Sequence, residues 1–190
     1  MAATALLVCD IQNGIVERVQ GPGQDTELFL QRLSQTIDAA RHAGLTVIYV
    51  RVAFRPGYPE ASPRNASLAR VKAHGSAAGF GEDDPLTQIH AAALPLPTDI
   101  VVTKRRVSAL HGTDLDLVLR SLGVENLVIA GLSTSGVVMS TVRQAADMDY
   151  RLVVLADLCR DSDQEMHDAA MKVIAKQAEV VTSEDWVAGL

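Results

Sequence analysis

The chain has 190 residues, 48% of them hydrophobic, 21% charged and only 4% aromatic, with a formal net charge of -6 at pH 7. That length predicts one domain, residues 1–190, able to bury a proper core, and the apolar content excludes a disordered chain. No apolar run reaches the ~20 residues of a bilayer span, and the acidic balance argues against a nucleic-acid partner, whose binding proteins are usually basic.

In chain order, Met1-Ala-Ala-Thr carries no basic region and reads straight into an apolar run, so no secretory signal is expected. With only two cysteines, both are expected as reduced thiols in a cytoplasmic protein. Leu6-Leu7-Val8 is the first predicted strand. Leu30, Leu33, Ile37 and Ala40 then recur at helical spacing, with Gly44 as the stop. Val47-Ile48-Tyr49-Val50 is the second strand. Residues 53–99 break the rhythm: they hold every proline except Pro22, with many Gly, Ala and Ser. An irregular segment of that length is usually functional or an oligomer contact. Ile100-Val101-Val102 resumes the pattern, followed by a helix on Leu115, Val118, Leu119 and Leu122 that ends at Gly123. Leu127-Val128-Ile129-Ala130, a helix on Val138, Thr141, Val142 and Ala145, and Leu152-Val153-Val154-Leu155 come next. A helix on Met166, Ala170, Val173 and Ile174, opened by a capping box at Ser162-Asp163-Gln164-Glu165, leads to Val180-Val181. The strands are continuous and β-branched, as strands covered on both faces are. The expected fold is α/β: a doubly wound, six-stranded, mainly parallel sheet with helices on both faces, a Rossmann-like three-layer arrangement.

In such sheets ligands bind beyond the carboxyl ends of the strands. Those ends carry Asp10 and Gln12, then Arg51 and Arg55, then Lys104, Arg105 and Arg106, then Gly131-Leu132-Ser133-Thr134-Ser135-Gly136, then Asp157. Asp10 and Lys104 are expected to converge from neighbouring strands, and read either as a catalytic pair or as an ordinary ion pair at the sheet's rim. The turn from Gly131 to Gly136 offers free N–H groups to an anion or oxyanion, or its hydroxyls cap the next helix. It fits neither G-x-S-x-G, nor G-x-G-x-x-G, nor a phosphate loop. The five histidines are scattered without ligand spacing, and Trp186 suits a packing role.

Three of these segments resemble the isochorismatase-like (cysteine hydrolase) superfamily. Leu7-Val8-Cys9-Asp10-Ile11-Gln12-Asn13-Gly14 resembles its first-strand motif. Lys104-Arg105-Arg106-Val107-Ser108-Ala109-Leu110 resembles its lysine segment, K-x-R-Y-S-A-F in isochorismatases. Gly131 to Val138 resembles its nucleophile turn, G-x-x-T-x-x-C-V, and Asp157-Leu158-Cys159 the next strand end. The resemblance implies a six-stranded parallel sheet, a homodimer or larger homo-oligomer, and a catalytic set of Asp, Lys and Cys. Asp10 and Lys104 fall on the first two, and Val137 falls on the cysteine. A valine cannot form the thioester-like intermediate of the family's amidases. The Asp-x-His-x-x-His metal site of related nicotinamidases has no counterpart in Arg51–Tyr58, so neither a catalytic metal nor another cofactor is expected.

The branch of the superfamily with glycine at the cysteine position, the true isochorismatases, hydrolyses a vinyl ether. By that resemblance the expected activity is hydrolysis of a small anionic metabolite, of the isochorismate type. Asp10 would be the general acid/base and Lys104 the electrostatic stabiliser. Gln12, Arg51, Arg55, Arg106, Ser133, Thr134, Ser135 and Gly136 are the candidate substrate contacts. Two alternatives stay open: an inactive member that binds a small ligand, and an amide or ester hydrolase using water or Ser135. Cys9 and Cys159 are expected to be packing residues.

Overall fold

The computed structural model describes residues 3–19, 25–75 and 79–190. The six strands are β1 (Ala3–Cys9), β2 (Thr46–Val52), β3 (Ile100–Lys104), β4 (Val124–Leu132), β5 (Arg151–Arg160) and β6 (Glu179–Val181). They form one sheet in the order β3-β2-β1-β4-β5-β6, with every pairing parallel. The chain builds outward from β1 to β3 on one side, then crosses to β4 on the other. The direction of winding therefore reverses between β1 and β4, where α/β sheets open a crevice for ligands.

The helices are α1 (Asn13–Arg18), α2 (Thr26–His42), α3 (Ala66–His74), α4 (Leu115–Ser121), α5 (Met139–Ala146), α6 (Gln164–Ile174) and α7 (Ser183–Ala188). Alternation along β1 divides the core. Ala5, Leu7 and Cys9 meet Leu115 and Leu119 of α4, Val142 and Ala145 of α5, and Ile174 of α6. Leu6 and Val8 meet Phe29, Leu33, Ile37 and Ala40 of α2, with Trp186 of α7 packed alongside. Both faces are dry, which is why the strands read as unbroken apolar runs rather than alternating ones. No helix among the described residues is long and apolar enough to cross a membrane.

Two local expectations are corrected. The cap of α6 is Asp163, which accepts from the Met166 N–H at 3.1 Å, one residue beyond the Ser162 start of the capping box. The segment 53–99 is not irregular throughout. It contains α3, capped by Asn65, and short 3-10 turns at Pro85–Thr87 and Ala91–Ala93. Phe54, Tyr58, Ala61 and Leu68 form a third small core there, with Val71 and Phe80 packed on it. The segment thus stands as a wall over the carboxyl ends of β1 and β2.

The β1–β4 seam is tight where it reaches the crevice. Gly131 lies opposite Cys9 with φ +147, and a Cβ there would meet the Cys9 carbonyl oxygen at 2.1 Å. Only glycine fits.

Candidate active site

Asp10 is the first residue past β1. It has φ +55, a left-handed conformation uncommon for a side-chain-bearing residue, although its N–H still bonds the Val50 carbonyl at 2.7 Å. Strained backbone of this kind concentrates at functional sites. Its carboxylate is 5% exposed, and Lys104 at the end of β3 is 4% exposed. Lys104 Nζ lies 2.9 Å from Asp10 Oδ2 and 3.2 Å from the Arg106 carbonyl oxygen, to which it donates. Asp10 Oδ1 is buried and has no hydrogen-bond partner among the described residues. Burial pushes the Asp10 carboxyl above its ordinary value, while the charge and hydrogen bond of Lys104 pull the other way without reversing it. The ammonium therefore does not cancel the effect of removing this carboxylate from water.

The pair opens into a cavity of about 290 Å³. Its floor includes Val137, Leu132, Ser133 and Gly136, from the wide turn Thr134–Val138 that joins β4 to α5 and from the residues before it. Gly136 is pressed on Ser133, because a Cβ at Gly136 would stand 2.5 Å from Ser133 Oγ. The walls are Phe54, Leu68, Val71 and Phe80 of the 53–80 segment, with Ile15 and Val19 following Asp10. Arg106 and Arg18 also face it, and the Arg18 guanidinium sits 4.7 Å from the centre of the Phe80 ring.

The structure thus brings Asp10, Lys104, Val137, Arg106, Ser133 and Gly136 around one cavity. It turns the other candidates elsewhere. The Gln12 amide, 1% exposed, donates to the carbonyls of Val52 at 2.9 Å and Thr87 at 2.7 Å and accepts from the Val52 N–H at 2.7 Å. It clips β1 to β2 and to the wall. Thr134 is fully buried, with its hydroxyl 2.8 Å from His167 Nδ1. Both the N–H and the hydroxyl of Ser135 donate to Asp161 Oδ2, at 2.8 and 2.7 Å, so this serine anchors the turn from behind. Arg51 donates to Thr103 Oγ1 at 3.2 Å, Arg55 pairs with Glu60, and neither lines the cavity. Asp157 lies inside β5 and holds the first residue of α7, accepting from Ser183 N–H and Oγ at 2.7 and 2.6 Å. The wall residues Phe54, Leu68, Val71 and Phe80 went unread in the sequence, where only the spacing Leu68-x-x-Val71 hints at a helix.

Neither thiol faces the cavity. Cys9 and Cys159 lie in the core on either side of Gly131. Burial first, then the Asp10 charge, push the Cys9 thiol well above its ordinary value, and burial pushes Cys159 up to about 12. Both are protonated, inert side chains. Among the described residues no cluster of three or more His, Cys, Asp or Glu could hold a metal ion.

A buried acid–lysine pair over a cavity at the rim of an open parallel sheet marks a candidate reaction centre in a small α/β protein. Residues 4–185 match the isochorismatase domain model, and the chain belongs to the isochorismatase family of hydrolases. It is 34% identical over 172 residues to the isochorismatase family protein YecD of Escherichia coli O157:H7, covering 90% of this chain and 87% of that one. It is 34% identical over 185 residues to the ureidoacrylate amidohydrolase RutB of Stutzerimonas stutzeri, covering 88% and 73%. The fold superposes on the N-carbamoylsarcosine amidase of Thermoplasma acidophilum with a TM-score of 0.72 and 27% identity, over 95% of this chain and 96% of that one.

Proposed function

We propose that this chain hydrolyses a small anionic substrate by acid–base catalysis at Asp10, without a covalent enzyme intermediate. The observation that carries the reading is the cavity itself. It presents a carboxyl group raised by burial, with one oxygen unpartnered, and a valine where the family resemblance puts the nucleophilic cysteine. A carboxyl poised to hold its proton suits enol-ether cleavage. Protonated Asp10 delivers its proton to the terminal carbon of the enol double bond. The ether carbon becomes an oxocarbenium ion, to which water adds, returning a proton to Asp10. The hemiketal then expels the alcohol and leaves a ketone. Lys104 holds the carboxylate form of Asp10 between the two proton transfers.

A second reading is supported by the relatives. Ureidoacrylate and N-carbamoylsarcosine, named for two of them, are both carboxylic acids bearing a carbamoyl nitrogen. The same site would then direct a water molecule, deprotonated by Asp10, at the carbamoyl carbon. The Ser135 variant of this route has no support, because that hydroxyl is turned to Asp161.

The test is turnover by the purified protein: pyruvate release from isochorismate, and ammonia release from ureidoacrylate and N-carbamoylsarcosine, for wild type and Asp10→Asn. Pyruvate release that falls at least ~100-fold in the variant supports the first reading. Ammonia release with the same dependence selects the second. Equal rates for the two proteins reject Asp10 as the catalytic group. No turnover of any of the three, with the melting temperature raised by a small acid, selects a binding protein.

A further inference from the structure

Taking the cavity at Asp10 as the active site, we infer that its substrates are carboxylic acids with a compact hydrocarbon body of about ring size. The carboxylate is received by Arg106 and the body by the wall of Phe54, Leu68, Val71 and Phe80.

The anion end follows from how Arg106 is held. Its Nη1 donates to two backbone carbonyls, those of Glu60 at 3.2 Å and Arg105 at 2.6 Å. Those bonds fix the plane of a half-buried guanidinium that pairs with no carboxylate among the described residues. Nη2 and Nε remain for a ligand, and a planar fork with two N–H groups matches a carboxylate. Its neighbours are differently employed: Lys104 is bound to Asp10, and Arg105 to Glu60 and Glu82.

The hydrocarbon end follows from the wall. Leu68 and Val71 come from one face of α3, and Phe54 and Phe80 close the space beside them. Val52, Ile15, Val107 and Val137 complete a mainly apolar lining, whose polar side chains are Asp10, Lys104, Arg106, Arg18 and Ser133. Hydroxyl or amide groups set against this wall, away from Asp10 and Arg106, would lose water and find few partners, whereas a hydrocarbon body loses nothing. At about 290 Å³, the space is at the lower limit of small-molecule sites, about 300–1,000 Å³. Among the described residues lining the cavity, Asp10 Oδ1 is the one buried acceptor without a partner, so the bond to be cleaved lies at that end.

The experiment measures binding without turnover. Wild-type protein is titrated calorimetrically with acetate, benzoate, benzamide, succinate and N-carbamoylglycine. Benzoate is expected to bind about 30-fold tighter than acetate, from burial of its ring, and at least about 10-fold tighter than benzamide. Phe80→Ala should collapse the first ratio and Arg106→Gln the second, with far-UV circular dichroism unchanged. Benzoate no tighter than acetate, N-carbamoylglycine or succinate tighter than benzoate, or an undiminished benzoate preference over benzamide in Arg106→Gln would each overturn the assignment. The wild-type ratios decide even where a variant fails to fold. Because no bond is broken, this can fail while acid–base catalysis by Asp10 stands, and the reverse.

Discussion

Lys104 Nζ sits 2.9 Å from one carboxylate oxygen of Asp10 and leaves the other oxygen buried and unpartnered. The expectation of neighbouring strands is corrected here: β2 lies between β1 and β3, because the chain lays down three strands in succession on this side of the sheet. Lys104 therefore reaches across the end of β2, and the ion pair closes over the sheet's rim. Breaking a buried pair from one side commonly costs about 3–5 kcal/mol, because the remaining charge is left without water or partner. Lys104→Met should cost about that much in urea unfolding at pH 7, and less at pH 4, where Asp10 can take a proton. A change under ~1 kcal/mol at both pH values would mean the pair is not buried in solution.

The raised Asp10 value has its own signature in stability. The folded state holds this proton more tightly than the unfolded chain, whose carboxyl titrates near ~3.9. The contribution is full below the unfolded value and is lost as pH rises through the folded one. The melting-temperature advantage of wild type over Asp10→Asn should therefore be largest near pH 4 and shrink toward pH 7. An advantage that grows with pH would show that Lys104 outweighs burial and that the carboxyl is lowered.

Gln12 is expected to matter for stability rather than for substrate. A nearly isosteric Gln12→Leu deletes two donated bonds and one accepted bond, and it orphans groups of Val52 and Thr87. At about 1–3 kcal/mol for each of the three groups left unpaired, a loss of about 3 kcal/mol or more follows. Chemical denaturation would measure it. A raised KM with unchanged stability would instead return Gln12 to the substrate.

The contrast between Gln12 and Lys104 shows what the sequence discloses. Strands buried on both faces carry their signature in every residue, so β1 to β6 were all legible, and a residue just past a strand can be placed at the sheet's rim from topology alone. That is enough to bring Asp10 and Lys104 together. It does not say which way a side chain is engaged. Gln12 is claimed by Thr87, 75 residues away, and Ser135 by Asp161, 26 away, and no local pattern encodes either bond. The wall was hidden for a related reason. α3 buries only Leu68 among its nine residues, so its apolar face is too narrow to show a period, and it becomes a wall only because Phe54 and Phe80 stand beside it.

The turn between β4 and α5 allows a sharper test of packing. Gly136→Ala drives a methyl to 2.5 Å from Ser133 Oγ and should cost about 1–3 kcal/mol. Ser133→Ala removes the obstructing oxygen. The double variant should therefore recover part of the loss, with a coupling of about 1 kcal/mol or more in a double-mutant cycle. Additive losses would mean that the cost at Gly136 does not come from the contact with Ser133.

Thiol chemistry separates the core from the cavity. Burial pushes Cys159 up to about 12 and raises Cys9 as well, which disfavours the reactive thiolate at both. Both are almost fully buried, so native wild-type protein should take up no iodoacetamide by mass spectrometry until it is unfolded. Val137→Cys exchanges one small apolar side chain for another and should leave the fold intact. The introduced thiol would line the same cavity as Asp10, whose carboxylate is the candidate to take its proton. One added label per chain is expected, together with ammonia release from a carbamoyl acid above the wild-type level. Labelling of wild type at Cys9 would place a nucleophile beside Asp10 after all and would revive covalent catalysis. Absence of labelling in the variant would mean that residue 137 is shielded from the cavity, and the valine would then no longer support the proposal of hydrolysis without a thioester.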